Sequence, residues 1–464
     1  MLYKITLDKD YRMTIPIGLI RAVNPKPDDY LKVTLRKEDK LQYFYLRIPA
    51  KQPSRKEVQV RRKLSERIIK TLGLKQNDKI VIEDISKLEI KKSDKQFVNG
   101  KLDILSLHLD GLMVDTFIRD NEEWCRFWSS SKFGGIAKEI ELKRFIPIDR
   151  ELGEFFGLMQ AESRKFGEKF DFTNIFISEH KKFVKISEIL GIDRKRWKFG
   201  LIYKPSLSRE SIENYIDIFS KELRIENGYV TKSDTITTVA YAIYIPSRIL
   251  NKIMNSALQV LRKFTIVLSK NPENKYALEF CKGFIIKYLL GDGTVSVGKD
   301  LTQMELVLSE NDKDAQKDTM EMLNIFGIHS NTKGIKTDIS TDFESCLWFL
   351  ENDLFIGHGK NREKFLKYLA HNFYVKKRFE RFSSFSEECT IKDFARNNSL
   401  SYGTAEMYLY RNMKRGFLEL SKPKNETSYR LTNKGKEFLS IVNSISRLHK
   451  ERNASLKQKL MVRS

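Results

Sequence analysis

Two acidic residues, Glu162 and Asp292, stand 130 positions apart at matching places in the sequence. Each lies near the end of a short apolar, helix-like run, Phe155 to Ser163 and Ile285 to Gly293, and each directly follows a small residue. A carboxylate at the C-terminal end of a helix faces the negative end of the helix dipole. Two such acids at the ends of paired helices would repel each other unless a cation lay between them. The pattern therefore predicts a divalent-metal site suited to phosphodiester cleavage.

The two runs resemble the paired LAGLIDADG motifs of homing endonucleases, with Glu162 and Asp292 both at the eighth, metal-binding position. The resemblance spans roughly residues 145 to 380. It implies an α+β fold with a core of two pseudo-symmetric αββαββα-like halves and a saddle of strands in the DNA major groove. It also implies cutting of both DNA strands with Mg²⁺ (or Mn²⁺), at a metal site to which Ala161 and Gly291 belong with the two acids.

The motif helices depart from the family pattern at several positions. Phe156 and Gln160 stand where small and acidic residues are common. Gly157 and Ala161 lie four apart on one face, so the first helix still allows close packing. Lys287 stands where the family prefers glycine, and it leaves open how closely the second helix approaches.

A lysine on a nearby strand often tunes the attacking water in this family. The resemblance points to Lys198 and Lys336 for this role. Glu162 and Asp292 are then the catalytic acids, each mainly serving one DNA strand.

The charge of the chain points to a polyanionic partner. Its 464 residues include 84 Lys and Arg and 61 Asp and Glu, a net charge of +23. Double-stranded DNA is the preferred interpretation, with an anionic membrane, general solubility or adaptation to heat as alternatives. No apolar run approaches the ~20 residues that span a bilayer, so no membrane association is expected.

Targeting and cysteine usage predict an intracellular protein. The first ten residues are polar and strand-like, which argues against a secretory signal. The four cysteines have no CxxC spacing and are expected to be reduced, and the histidines form no HExxH zinc motif. We expect a cytoplasmic, nucleoid-associated protein, monomeric with internal pseudo-two-fold symmetry.

Residues 1–90 contain an internal repeat in which Arg12 recurs as Arg61, forty-nine positions later. Each copy predicts strand, short helix, turn and strand, with Pro16 opening the first helix and Ser65 in its place in the second. This resembles the AbrB-like swapped-hairpin DNA-binding fold, here as a pseudo-dimer within one chain. Its DNA contacts would be Arg12, Arg61, Arg62 and Lys63. A small β-rich cap without DNA contact is the alternative.

Residues 91–145 predict a β-rich connector without obvious chemistry. Alternation over Leu102 to Leu107 and Leu112 to Val114 indicates strands, and Trp124 to Trp128 indicates an aromatic strand followed by a serine loop.

The endonuclease-like region is expected as two halves, residues 146–270 and 271–384, each with the order motif helix, strand, helix, strand, helix. The predicted elements after motif one are 169–174, 181–190, 198–203 and 246–261, and those after motif two are 304–308, 313–325, 334–340 and 346–350. Residues 359–382 interleave basic and aromatic residues, which suits either a phosphate-binding helix or a merely solvated cationic face.

Residues 385–464 resemble a winged helix-turn-helix followed by a last helix. A helix from Thr390, a second from Ser401, a hairpin over Gly416 to Thr432 and a helix from Lys434 give this order. The recognition helix would direct polar, aromatic and basic residues toward the major groove, namely Ser401, Tyr402, Thr404, Tyr408, Arg411, Lys414 and Arg415. A winged helix that binds only protein is the alternative.

Three functions fit these patterns. The first is a sequence-specific, metal-dependent double-strand DNA endonuclease of homing type. The second is a transcription regulator on a catalytically silent LAGLIDADG scaffold, and the third is a maturase acting on structured intron RNA. The two retained acids favour cleavage, whereas the imperfect motifs and the extra DNA-binding-like modules favour regulation. The target sequence and the cutting offset do not follow from the residues.

Overall fold

The computed structural model describes residues 3–25, 29–47, 59–88, 97–107, 109, 112–129, 139–163, 167–225, 228–234, 239–299, 301–355, 359–372, 378–385, 388–421 and 427–461. The chain forms two compact units, Met1–Gly291 and Asp292–Ser464. None of the described helices pairs enough length with enough apolar character to span a lipid bilayer.

The N-terminal region shows the expected repeat of strand, helix and strand. The first copy is β2 (Arg12–Pro16), α1 (Ile17–Ala22) and β3 (Tyr30–Lys37), and the second is β5 (Gln59–Lys63), α2 (Glu66–Leu72) and β6 (Lys79–Leu88); β1 (Tyr3–Thr6) and β4 (Lys40–Arg47) complete the region. Strand β2 pairs with β5 and β3 pairs with β6, both antiparallel. Where the first copy has Pro16, the second has Ser65, whose hydroxyl accepts the N–H of Ile68 and caps α2. The turn at 26–28 lies outside the described residues.

The expected connector extends the N-terminal sheet. Its strands are β7 (Phe97–Val98), β8 (Lys101–Asp103), β9 (Leu112–Arg119), β10 (Glu122–Ser129), β11 (Ile140–Lys143) and β12 (Phe145–Pro147). Seven strands follow the order β1-β6-β3-β4-β9-β10-β11, so the sheet crosses the boundary expected at residue 90. Trp128 of the aromatic strand is buried in the same core as Leu31 and Phe44.

The strand expected over Leu102 to Leu107 is wrong beyond Asp103. Residues Ile104–Ser106 form a 3-10 turn instead. The carboxylate of Asp103 accepts the N–H of Leu105 at 3.0 Å, and this local hydrogen bond favours the turn over a continued strand.

The first repeat contains α3 (Arg150–Glu162), β13 (Phe170–Asn174), α4 (Ile177–Ile189), β14 (Lys198–Tyr203), α5 (Arg209–Leu223), β15 (Gly228–Lys232), β16 (Ala240–Ile245) and α6 (Arg248–Ser269). The four elements expected after the motif are present, but α5, β15 and β16 were not expected. The order is αβαβαββα, so the expectation of an αββαββα half is wrong here. The order differs because β13 is followed directly by α4 and not by a second strand. The strand that pairs with β13 is β16, which comes later in the chain. The sheet order is β13-β16-β14-β15, with β14 and β15 parallel and joined through α5.

The second repeat has the order αββαββα from its motif helix onward. Its elements are α7 (Lys275–Asp292), β17 (Gly293–Val297), β18 (Met304–Ser309), α8 (Lys313–Ile325), β19 (Ser330–Lys333), β20 (Lys336–Ile339) and α9 (Phe343–Glu351), followed by α10 (Gly359–Asn372). The four elements predicted after motif two are all present. The sheet β17-β18-β20-β19 is antiparallel throughout. Its strand β18 alternates between buried and outward-facing residues, as a sheet with one covered face requires.

Helix α10 buries Phe365 and Tyr368 while Lys360, Lys364 and Lys367 are exposed. This is the amphipathic arrangement that the interleaved basic and aromatic residues predict. Residues 373–377 of that segment lie outside the described residues.

The C-terminal region contains α11 (Arg378–Ser383), β21 (Glu388–Thr390), α12 (Ile391–Asn397), α13 (Tyr402–Lys414), β22 (Leu418–Ser421), β23 (Ser428–Leu431) and α14 (Asn433–Met461). Two helices, a hairpin and a last helix follow one another as expected. Ser401 caps α13 by accepting the N–H of Thr404. The ring of Phe382 in α11 lies 5.8 Å from that of Phe417 and 4.9 Å from that of Phe438. The aromatic core of this region therefore begins before residue 385.

Candidate functional site

Helices α3 and α7 lie against each other at backbone contact distance. A methyl group on Gly153 would come within 2.1 Å of the carbonyl oxygen of Phe280, and one on Gly157 within 2.4 Å of that of Phe284. From the other helix, a methyl group on Gly283 would lie 2.2 Å from the nearest backbone oxygen of α3. Glycine at these positions is what permits the contact. Because the residue numbers rise together along both helices, the helices run parallel.

The contact continues to the C-terminal end of α3. A methyl group on Gly291 would lie 2.4 Å from Cβ of Ala161 and 3.4 Å from Oε1 of Glu162. Glu162 is the last residue of α3, and Asp292, which follows Gly291, is the last residue of α7. Both motif helices thus end in an acid, and the last turn of α7 before Asp292 packs on Ala161 and Glu162.

Lys287 does not hold the two helices apart. The side chain lies in the protein interior and reaches α4, where Nζ donates to both carboxylate oxygens of Glu179 at 2.8 and 2.7 Å. Its Cβ would be 3.1 Å from a methyl group on Gly157, so the backbones approach closely beside it. Burial lowers the pKa of Lys287, and the charge of Glu179 partly offsets this.

The carboxylate of Glu162 is held from the neighbouring strand. Asn174, the last residue of β13, donates from Nδ2 to Oε1 of Glu162 at 3.0 Å. The amide oxygen of Asn174 accepts the N–H of Phe176 at 2.9 Å. The strand end and the helix end are therefore joined through one side chain.

The atoms that could bind a metal at the C-terminal end of α3 are oxygens. The carboxylate of Glu162 is accompanied by backbone carbonyl groups of the last turn of α3. Among the described residues, no three or more His, Cys, Asp or Glu side chains form a group that could hold a metal ion. Mg²⁺ keeps several waters and is commonly held by only one or two carboxylates. Oxygen donors of this kind fit Mg²⁺ or Mn²⁺ better than zinc.

The two candidate lysines are the first residues of their strands, and both are exposed. Lys198 of β14 lies opposite Tyr244 of β16. Lys336 of β20 lies between Ser309 and Lys333. Neither lysine forms an ion pair with another described residue.

The N-terminal candidates lie on one antiparallel strand pair. Arg12 faces Lys63, and Arg62 and Arg61 are opposite the next two residues of β2. Arg12 forms an ion pair with Asp10 at 3.4 Å. The register thus brings the four candidate positions into one short ribbon.

The C-terminal candidates divide into two groups. Tyr402, Thr404, Arg411 and Lys414 of α13 are exposed, as is the capping residue Ser401. Tyr408 and Arg415 are only partly exposed and contact other parts of the protein. The Tyr408 ring stacks on Phe394 at 5.2 Å, and the Arg415 guanidinium pairs with Glu344 at 3.1 Å and Glu351 at 3.7 Å.

Two exposed residues of α13, and Asn174, were not among the predicted site residues. Met407 and Tyr410 are 51% and 44% exposed on the outer face of α13, and the Lys414 amine lies over the Tyr410 ring. Their helical spacing from Arg411 and Lys414 was the available signal. Asn174 had no comparable signal, because its partner Glu162 lies across a tertiary contact.

Comparisons with known proteins identify part of the chain. Residues 279–370 match the family model of the LAGLIDADG-like domain. No curated protein matches the chain. One similar solved structure is the crystal structure of I-DmoI in complex with DNA and Ca, with 14% sequence identity, a TM-score of 0.23, and coverage of 44% of this chain and 88% of that chain. The chain thus carries a LAGLIDADG-like domain over residues 279–370.

Proposed function

We propose that the chain is a sequence-specific DNA endonuclease of the homing type that hydrolyses both strands of its target with Mg²⁺ or Mn²⁺. The observation that carries this proposal is the close, parallel contact of α3 and α7, both of which end in an acid, Glu162 and Asp292. The match of residues 279–370 to the LAGLIDADG-like domain supports it independently.

In this proposal Glu162 and Asp292 jointly hold the metal, with Ala161 and Gly291 beside them. The bound cation would activate water and stabilise the leaving oxygen. The two carboxylates would supply hard oxygen ligands, and their mutual repulsion would be offset only when the cation is bound. Lys198 and Lys336 are proposed to tune the attacking water, each from the start of a strand.

Duplex DNA is the proposed partner. A net charge of +23 favours phosphate binding, since each neutralised phosphate releases condensed counterions. We propose that the β2–β5 ribbon forms an AbrB-like module and that residues 378–461 form a winged helix whose recognition helix is α13. The outward-facing Tyr402, Thr404, Arg411 and Lys414 are the groups that would meet the DNA.

A DNA-binding regulator is the second candidate function. The order of the first repeat, αβαβαββα, departs from that of the second, and this loss of symmetry favours a scaffold that no longer cuts. A regulator would still use the charge and the C-terminal module.

A cleavage assay on the duplex that the wild type binds specifically distinguishes the endonuclease from the regulator. With Mg²⁺ or Mn²⁺ we expect the wild type to cut both strands, and Glu162→Gln and Asp292→Asn to bind the duplex without cutting both strands. Glu151→Gln, an exposed acid in the first turn of the same helix α3, is the matched control and should cut normally. If the wild type never cuts its specific site and all variants bind it equally, the regulator replaces the enzyme.

A further inference from the structure

Asn174 lies between the sheet of the first repeat, β13-β16-β14-β15, and the C-terminal end of α3. It is the last residue of β13, where it lies opposite Tyr241 of β16, and it is only 8% exposed. Its Nδ2 donates to Oε1 of Glu162 at 3.0 Å. A nearly buried amide thus meets one of the two acids that end the motif helices.

The hydrogen bonds fix which way the amide of Asn174 points. The N–H of Phe176 can only donate, so the atom that accepts it at 2.9 Å is the amide oxygen. The NH₂ group must then face Glu162. Asn174 can consequently donate to the carboxylate of Glu162 and orient it.

The turn that carries Asn174 is itself anchored. His180 is fully buried, with Nδ1 2.9 Å from the carbonyl oxygen of Phe176 and Nε2 2.9 Å from that of Tyr241. This imidazole spans from the residues after β13 to strand β16. The amide of Asn174 is therefore presented from a rigid base, as a positioning group requires.

We propose that Asn174 is a positioning residue that holds the carboxylate of Glu162 in the orientation needed to bind the metal. The inference rests on the proposed function and adds a residue to it. Partners of this kind orient the groups that ligate a metal, and their loss typically lowers metal affinity by about 10- to 100-fold.

Two substitutions distinguish this role from a merely structural one. Asn174→Asp keeps the acceptor for the N–H of Phe176 and replaces the NH₂ group by an oxygen that repels Glu162. Asn174→Ala removes both hydrogen bonds and adds no charge. Positioning predicts that Mn²⁺ affinity falls in the order wild type, Asn174→Ala, Asn174→Asp, with the aspartate variant about tenfold or more weaker than the wild type. A role limited to the turn predicts the reverse order for the two variants.

The measurement is Mn²⁺ binding by the full chain in complex with its target duplex at low temperature. The electron paramagnetic resonance signal of free Mn²⁺ reports how much metal remains unbound, and the duplex without protein is the blank. Asn352→Asp is the matched control, because Asn352 is also 8% exposed and its Nδ2 donates at 2.8 Å to a backbone carbonyl, that of Trp348. It should bind Mn²⁺ as the wild type does. Equal or tighter binding by Asn174→Asp would overturn the role of Asn174 and leave the metal site standing. A wild type that binds no Mn²⁺ beyond the blank would overturn the metal site and the role of Asn174 with it.

Discussion

Lys287 and Glu179 form an ion pair inside the protein that joins the second motif helix to α4 of the first repeat. Both residues are nearly buried, with exposed fractions of 6% and 4%. The pair explains how a lysine is accommodated at a helix contact where glycine was expected. The long side chain leaves the contact sideways, and only its Cβ lies beside Gly157.

Loss of the lysine should therefore be costly. Lys287→Met leaves the Glu179 carboxylate buried without its partner, and we expect the free energy of unfolding to fall by about 3–5 kcal/mol. Urea unfolding measures the change. The double variant Lys287→Met, Glu179→Leu should recover most of the loss, and the exposed Lys185→Met should stay within about 0.5 kcal/mol of the wild type. A single variant as stable as the wild type would contradict the buried pair.

The glycines of α3 should tolerate no side chain. In Gly153→Ala the new methyl group meets the carbonyl oxygen of Phe280 at 2.1 Å, so the helices must separate. We expect a loss of about 1–3 kcal/mol or more in the free energy of unfolding, as for an overpacked core. Gly18→Ala in α1 is the control, since nothing lies within 4 Å of its new methyl group, and it should be neutral or slightly stabilising. Equal melting temperatures for the two variants would argue against the close contact.

His180 should make stability depend on pH. Burial lowers its pKa from 6.5 to about 4, although the carbonyl groups of Phe176 and Tyr241 favour the protonated imidazole and oppose this shift. The unfolded chain then binds the proton more tightly, so the contribution of His180 is complete above pH 6.5 and is lost as the pH falls toward 4. The full effect is about 3 kcal/mol.

The difference between the wild type and His180→Gln isolates this effect in unfolding curves from pH 7.5 to 4. The wild type has to be compared with the variant because Asp115 titrates with the opposite effect. Burial raises the pKa of Asp115 from 3.8 to about 6, so its protonation stabilises the folded state as the pH falls through the same range. The free energy of unfolding of the wild type should fall relative to the variant on acidification. Parallel curves would show that the imidazole is not held neutral.

The local patterns of the sequence predicted more than its tertiary contacts. Helix α8 begins at Lys313 and ends at Ile325, as its spacing indicated, because Asp312 caps it and its apolar residues repeat at helical intervals. The acids at the ends of α3 and α7 were likewise identified from a local pattern, because each lies at the end of a short apolar, helix-like run. By contrast, β15 and β16 of the first repeat were missed. Their pairing with β14 and β13 brings together segments that are distant in sequence, and no periodicity records such a partner.

The same limit applies to the candidate contacts. Helical spacing placed Tyr408 and Arg415 on the recognition helix, but their partners Phe394 and Glu344 belong to other helices. Phe382 likewise lies before the expected boundary at residue 385 and still belongs to the aromatic core behind it. Which polar or aromatic side chain turns inward is decided by these neighbours, which a single helix does not reveal.

The exposed and the engaged basic residues of α13 should differ in how they affect DNA binding. Arg411 is exposed, whereas the guanidinium of Arg415 is already paired with Glu344 and Glu351. If Arg411 contacts a phosphate, Arg411→Ala should weaken binding and reduce the slope of log K against log salt by about 1. Arg415→Ala should leave the slope unchanged, because its charge does not release a counterion from DNA. Fluorescence anisotropy on one labelled duplex between 50 and 300 mM salt measures both slopes. Equal slopes for the wild type and Arg411→Ala would remove this face of α13 from the DNA contact, and a reduced slope for Arg415→Ala would show that its ion pair opens when DNA binds.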